Sequence, residues 1–198
     1  MMKFLALMCI ATLTAFTPTS SRADQAIFAG GCFWCMEQAF QEQDGVSEVI
    51  SGFTGGTLKN PTYNGNHEGH YEAVQVIYDP QVIAYQQLLN VYWRNIDPFD
   101  DKGQFCDKGH SYLSAIFVAD DEQRRLARLS KEQVIRQFAD QRPDQRVVTP
   151  ILAASVFYPV EEYHQDYYLK NPWRYRFYKT ACRRASRLEE VWGKPETD

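Results

Sequence analysis

Cys32 and Cys35 stand in a C-x-x-C arrangement directly after the pair Gly30-Gly31. The apolar run Ala26-Ile27-Phe28-Ala29 before them reads as a strand, and Met36 to Glu42 after them reads as the first turns of a helix. A glycine pair lets the backbone turn tightly and pass close to whatever binds there. Cys32 is therefore expected where a helix begins, with free N–H groups and the positive end of the dipole directed at its sulfur. That placement favours the thiolate, which is the nucleophilic form of cysteine. A buried structural cysteine beside Phe33 and Trp34 is the bland alternative, and Gly-Gly-Cys at a strand-to-helix turn argues against it. C-x-x-C spacing can also close a disulfide, so a general thiol–disulfide oxidoreductase is one alternative reading. Cys32 and Cys35 with His67 and His70 could supply zinc ligands, which keeps a zinc-binding module as a second alternative. The 31 residues between the two pairs exceed the usual finger spacing, and His67 to Glu72 is not H-E-x-x-H.

The elements that must position these residues follow from composition and periodicity. A chain of 198 residues with 44% hydrophobic and 23% charged residues suits one soluble domain with a sizeable core. Aromatics reach 14%, which predicts a core or pocket rich in rings. A net charge of -4 gives no electrostatic case for nucleic acid or an anionic membrane. The N-terminus has the three parts of a secretory signal peptide: Met1-Met2-Lys3, an apolar stretch from Phe4 to Phe16, and a polar stretch ending at Ala23. Residues 1–23 are expected to be removed, leaving one domain over 24–198, and a retained anchor is the alternative. Export, to a periplasmic or extracellular space, puts Cys32, Cys35, Cys106 and Cys182 in an oxidising compartment where disulfides persist. Four cysteines are too few for a disulfide-stapled miniprotein and suit redox chemistry or one or two bridges.

Along the chain, Gly45 to Phe53 and Glu72 to Tyr78 alternate as strands. Val82, Tyr85, Leu88 and Tyr92 are spaced for one apolar helix face, and Ser114 to Ala119 reads as a further strand. Asp120 or Asp121 can cap a helix whose buried stripe is expected to be Leu126, Leu129, Val134 and Phe138. Val147 to Thr149 and Ala153 to Tyr158 are strand-like, with Pro150 and Pro159 pointing to an edge. Glu161 to Tyr168 reads as one short helix holding a structural His164, and Lys170 to Trp192 as a basic, aromatic closing segment. Two long polar loops, near 54–71 and 99–111, have the length of functional loops. Loose connections between alternating elements fit a mixed α+β sheet better than a doubly wound one.

Gly31-Cys32-Phe33-Trp34, Gly55-Gly56, Asn60-Pro61-Thr62-Tyr63, Gly69-His70-Tyr71-Glu72, Tyr78-Asp79-Pro80 and Tyr163-His164-Gln165 occur in one order. That set resembles the A-type peptide methionine sulfoxide reductases, from about Ala26 to Asn171. The resemblance implies an α+β fold: a single-domain, two-layer mixed sheet with flanking helices, related to the ferredoxin-like architecture. It implies that Cys32 attacks the sulfoxide sulfur of methionine S-sulfoxide, leaving a sulfenic acid and methionine. Glu72 matches the family's acid, Tyr63 and Tyr112 its two tyrosines on the sulfoxide oxygen, and Asp107 the aspartate that orders this side of the pocket. Phe33 and Trp34 would form the apolar wall for the substrate methyl group. Taken singly, Glu72 could be a solvated strand residue, and Tyr63 and Tyr112 core rings.

For the resolving thiol, Cys182 near the C-terminus ranks first, Cys35 second and Cys106 third. The sequence after Asn171-Pro172 departs from the family's commoner glycine-rich tail. Cys35 and Cys106 replace the more usual glycine and asparagine, and a structural Cys106–Cys182 bridge is the bland reading of the leftovers. No metal or organic cofactor is expected, only an external thiol reductant such as a thioredoxin-like protein. The expected partners are that reductant and oxidised proteins or peptides, with the chain acting as a monomer.

Overall fold

Alternation decides which way the first strand faces. In β1, Asp24–Gly30, Ala26 and Phe28 project to one side and Ile27 and Ala29 to the other, as a two-residue repeat requires. The computed structural model describes residues 23–194. The signal-peptide reading of residues 1–23 therefore falls, apart from Ala23, outside the described residues. Among the described residues no helix is long and apolar enough to cross a membrane.

β1 lies near the centre of a six-stranded sheet with β2 (Val46–Thr54), β3 (Tyr71–Tyr78), β6 (Ser114–Val118), β7 (Ile151–Ala153) and β8 (Tyr158–Pro159). The order is β7-β6-β1-β3-β2-β8, and only β6 and β7 run parallel, so the sheet is mixed as expected. A two-residue hairpin, β4 (Gly103–Gln104) with β5 (Asp107–Lys108), stands apart from it.

One face is covered by α1 (Phe33–Gln41), α2 (Tyr85–Arg94) and α3 (Asp121–Phe138). The core there is aromatic: Phe28 stacks on Phe40 at 5.0 Å and on Tyr92 at 5.1 Å between ring centres. Each fully buried ring of this size is worth roughly 1.5–3 kcal/mol of hydrophobic stabilisation. Ile27, Ala29, Ala73, Ala115 and Phe117 form a smaller cluster on the opposite face.

Several local expectations are revised. Val82 precedes α2 and is exposed, because Leu88, Leu89, Tyr92 and Trp93 fill the sheet-facing side of that helix. Asp120 caps α3 by accepting the Gln123 N–H at 2.8 Å, but Leu129 points outward and Ala127 and Ser130 take its place in the buried stripe. Residues 147–149 form no strand; pairing begins at Ile151, against Ile116. The single helix expected over 161–168 is broken, since Asp166 adopts φ 54° between a turn at Glu162–His164 and α4 (Tyr167–Lys170). The closing segment is two helices, α5 (Pro172–Ala181) and α6 (Arg184–Trp192), separated by Arg183 at φ 53°.

Candidate active site

The site is assembled where β1 turns into α1. Gly31 sits at φ +80°, and a Cβ there would lie 2.6 Å from Gln104 Cβ, so the turn admits only glycine. Gln104 is itself fixed by two hydrogen bonds of 2.8 Å, accepting the Asp97 N–H and donating to the Asp97 carbonyl. The packing of Gly31 on Gln104 thereby sets the hairpin that carries Asp107 beside the start of α1.

Cys32 is the residue before α1, as the glycine pair predicts, but its sulfur does not collect the helix N–H groups. The Cys35 N–H bonds the Cys32 carbonyl at 3.1 Å, and the Phe33 N–H donates to Glu72 Oε2 at 3.2 Å. The start of the helix thus holds a carboxyl group instead of the thiolate. Burial pushes the Cys32 thiol well up, with the Cys35 and Glu72 charges adding to the effect. The thiol–thiol hydrogen bond from Cys32 brings Cys35 down to about 6, helped by Arg184, the Tyr175 hydroxyl and Lys179.

Glu72 lies on the helix-covered face of β3, the same side as Val74, Val76 and Tyr78, and is 1% exposed. Burial raises its carboxyl to about 8, against the stabilising Phe33 N–H and the Tyr112 hydroxyl. Tyr63 and Tyr112 approach the same carboxyl and Cys32 from the two long loops, their phenols pushed up mainly by burial. Asp107 faces this group, and burial also raises its carboxyl, while Tyr178, Arg184 and Lys108 hold it down.

Phe33 is fully buried against Phe53 and Tyr63, each at 5.9 Å. Trp34 is the more open wall: it stacks on Tyr167 at 3.9 Å and sits 6.0 Å from Tyr63. The structure therefore brings Cys32, Phe33, Trp34, Tyr63, Glu72, Asp107 and Tyr112 into one neighbourhood. The fold supplies others that the motifs did not mark. His164 ends the short helical turn Glu162–His164; its ring packs 3.9 Å from Tyr63, and neither ring nitrogen has a hydrogen-bond partner. Tyr175 and Tyr178 reach the two cysteines from α5. Their spacing, Tyr175-x-x-Tyr178-x-x-x-Cys182, is a one-sided helix pattern and the one sequence signal that marks them.

Cys182 and Cys106 are joined in a disulfide, while Cys32 and Cys35 are free. Cys182, ranked first among the partners of Cys32, has its sulfur bonded to Cys106, and Cys35, ranked second, is the free cysteine nearby. The zinc reading also fails on geometry. His70 Nδ1 faces the Gly56 N–H at 3.3 Å and Nε2 the Leu58 carbonyl at 2.8 Å, whereas His67 stacks on Phe53 at 5.0 Å. The two cysteines and two histidines form no cluster.

The family model for peptide methionine sulfoxide reductase matches residues 24–196. A peptide methionine sulfoxide reductase from Bacillus pumilus is 49% identical over 176 residues, 87% of this chain and 97% of the relative. The solved methionine sulfoxide reductase A of Corynebacterium diphtheriae superimposes with a TM-score of 0.71 at 31% identity, covering 78% of this chain and 77% of that one. Saccharomyces cerevisiae Mxr1, solved in complex with Trx2, shares the fold at a TM-score of 0.53 and 21% identity, over 78% of this chain and 91% of that one. With a redox-capable cysteine pair at a helix start, a buried carboxyl beside it and a family match across nearly the whole domain, this chain belongs to the peptide methionine sulfoxide reductase family.

Proposed function

We propose that the chain reduces methionine S-sulfoxide, free or in peptides and proteins, with Cys32 as nucleophile and Cys35 as resolving thiol. Cys32 attacks the sulfoxide sulfur, and Glu72, in its acid form, delivers a proton to the oxygen as the S–O bond breaks. Tyr63 and Tyr112 donate to the same oxygen, and Trp34 with Phe33 bounds the methyl group. The hydroxide so released attacks the Cys32 sulfur of the sulfonium intermediate, the bond between the two sulfurs breaks with its electron pair leaving on methionine, and Cys32 becomes a sulfenic acid. The Cys35 thiolate then attacks the Cys32 sulfur, water departs, and a Cys32–Cys35 disulfide remains. An external dithiol returns both cysteines to thiols, so the cycle balances as one sulfoxide and one dithiol giving methionine, water and a disulfide.

The observation that carries this reading is the Phe33 N–H to Glu72 bond of 3.2 Å, which fixes a proton-bearing carboxyl beside the cysteine pair. A general thiol–disulfide oxidoreductase would have no use for that carboxyl or for two converging tyrosines. Cys35 also lines a cleft of about 600 Å³ with Lys179, Arg184, Arg94 and Trp192, which gives the reductant a route from outside the aromatic pocket. A thioredoxin-type protein is the reductant we infer, in line with the complex solved for yeast Mxr1. The same proposal has the chain acting after export as a monomer that repairs oxidised proteins, on the strength of its N-terminal pattern of charged, apolar and small residues.

The test is intact mass and free methionine after mixing with L-methionine-S-sulfoxide, without reductant, beside Cys32→Ser. The expected result is one methionine per wild-type chain with loss of two hydrogens, mapped to Cys32–Cys35, and no methionine from the variant. No methionine from a folded wild type with reduced Cys32 overturns the assignment.

A further inference from the structure

The basic, aromatic closing segment is the part of the sequence that the proposed reaction leaves unused. Trp173 and Phe177 are four positions apart on α5 and share its outer face, because Tyr175 and Tyr178 take the inner one against the cysteines. Each of the two is 78% exposed, so a pair of large rings stands in water. Single exposed apolar side chains are ordinary, but paired rings rimmed by charge mark an interaction surface.

Charge is gathered on the same segment. Between Lys170 and Glu189 stand Arg174, Arg176, Lys179, Arg183, Arg184 and Arg187, with no acidic residue among them. The whole-chain charge of -4 conceals this stretch. Arg184 is buried and Arg187 pairs with Asp97 and Glu190, whereas Arg174, Arg176 and Arg183 are exposed. Arg176, Lys179 and Arg183 line a cleft of about 480 Å³ between α5 and α6, with Gln38, Tyr168 and Ser186 and no carboxylate. Lys179 donates to Gln38 Oε1 at 2.9 Å and keeps two further protons to give. The first turn of α6 has no side-chain cap, and its Ala185 and Ser186 form part of the cleft wall. Uncapped N–H groups at a helix start favour an oxyanion, as do three cations with no acid between them. The Arg176 guanidinium lies 5.4 Å over the Trp173 ring, so the cleft adjoins the exposed rings.

We propose that α5 and the start of α6 form a docking surface for an anionic membrane. Phosphate-bearing headgroups enter the cleft of Arg176, Lys179 and Arg183, and Trp173 and Phe177 sink into the interfacial layer. Such rings prefer the boundary between water and acyl chains, and basic side chains beside them gain from the negative surface. With ten residues, α5 is far too short to span a bilayer, so the contact is peripheral. A free phosphate, or an acidic polypeptide held by charge alone, would leave both rings in water; a lipid surface engages rings and cations together. The docking face is turned away from Cys32 and Cys35, so membrane contact and methionine release are separable.

The experiment measures tryptophan quenching by vesicles of equal parts phosphatidylcholine and brominated phosphatidylglycerol. It compares wild type, Trp173→Phe, and Arg176→Gln combined with Arg183→Gln, with brominated phosphatidylcholine alone as the neutral surface. Quenching is expected on anionic vesicles only, and its loss in Trp173→Phe assigns the signal to that ring independently of any contact made by the N-terminus. Removing both arginines should raise the lipid needed for half-maximal quenching about 30-fold, since each basic residue at an anionic surface contributes about a factor of five. Far-UV spectra and first-turnover methionine release should match wild type in every variant. Equal quenching on neutral vesicles, quenching undiminished in Trp173→Phe, or an unchanged midpoint without the arginines overturns the proposal. Binding of inorganic phosphate or polyglutamate by a chain whose Trp173 no vesicle quenches also overturns it, and gives the cleft to a free anion or an acidic protein.

Discussion

The Phe33 N–H donates to Glu72 Oε2 at 3.2 Å, across 39 residues of sequence. The bond joins the first residue of α1 to the second residue of β3, and it uses for an acid the helix-start N–H group that the sequence pattern assigns to a thiolate. A fixed, buried carboxyl near the nucleophile is what a sulfoxide oxygen needs as it departs. Burial raises both the Glu72 carboxyl and the Cys32 thiol, so the acid keeps its proton near neutral pH.

Replacing that acid is the most direct prediction. Glu72→Gln should slow first-turnover methionine release by at least about 100-fold, in the usual range for a general acid. The wild-type rate should fall as pH rises through about 8, because the proton-bearing form of Glu72 is lost there. Rapid-quench methionine release across pH 6 to 10 checks both; a Glu72→Gln rate within threefold of wild type would contradict the assignment.

The two cysteine pairs should separate by role. Cys35→Ser is expected to release its first methionine, accumulate a sulfenic acid that dimedone traps, and lose multiple turnover with a thioredoxin-type reductant. Cys106→Ala with Cys182→Ala should still form the Cys32–Cys35 disulfide. Mass mapping of a Cys32–Cys182 bridge as the main product would reverse the roles.

The Cys106–Cys182 bond closes a loop with a sequence separation of 76. Chain-entropy arguments assign such a closure about 4 kcal/mol of stability. Denaturant unfolding of the double alanine variant should show a loss of that order, with the far-UV spectrum kept.

Gly31→Ala places a side chain at φ +80° and within 2.6 Å of Gln104 Cβ. The left-handed backbone alone costs roughly 1–2 kcal/mol, and the contact adds to it. A Tm drop together with loss of first-turnover activity is expected, and an unchanged Tm would remove the argument for this turn.

Stability itself should depend on pH through Glu37. This residue of α1 is fully buried, accepts the Asp166 N–H at 3.0 Å, and is raised by burial to about 7. An acid whose folded pKa exceeds its unfolded one binds more protons when folded. Its contribution is therefore present below the unfolded value of about 4.5 and is lost as pH rises through about 7. The wild type should be more stable at pH 5 than at pH 8 by a few kcal/mol, with the unfolded state ionising first. Glu37→Gln should flatten that difference, and equal pH slopes for the two proteins would count against it.

What the amino-acid order determined by itself is local. The strand, the glycine turn and Cys32 at the start of a helix follow from apolar alternation and from one backbone angle that only glycine accepts easily. Glu72 is placed by the same alternation, because its position in β3 puts it on the face shared by Val74 and Val76. The mixed sheet was legible for the same reason, strand by strand. Who meets Cys32 from afar was not. Tyr178 lies 146 positions along the chain from Cys32, and nothing near it in sequence points back to the turn. Whether Cys182 is free or bridged also depended on where α5 ends, because that sets Cys106 beside it. The protonation of the pair was decided by burial and by Arg184, Lys179 and Glu72, which act through space. Local patterns set backbone geometry; long-range packing sets which side chains meet and how dry they are.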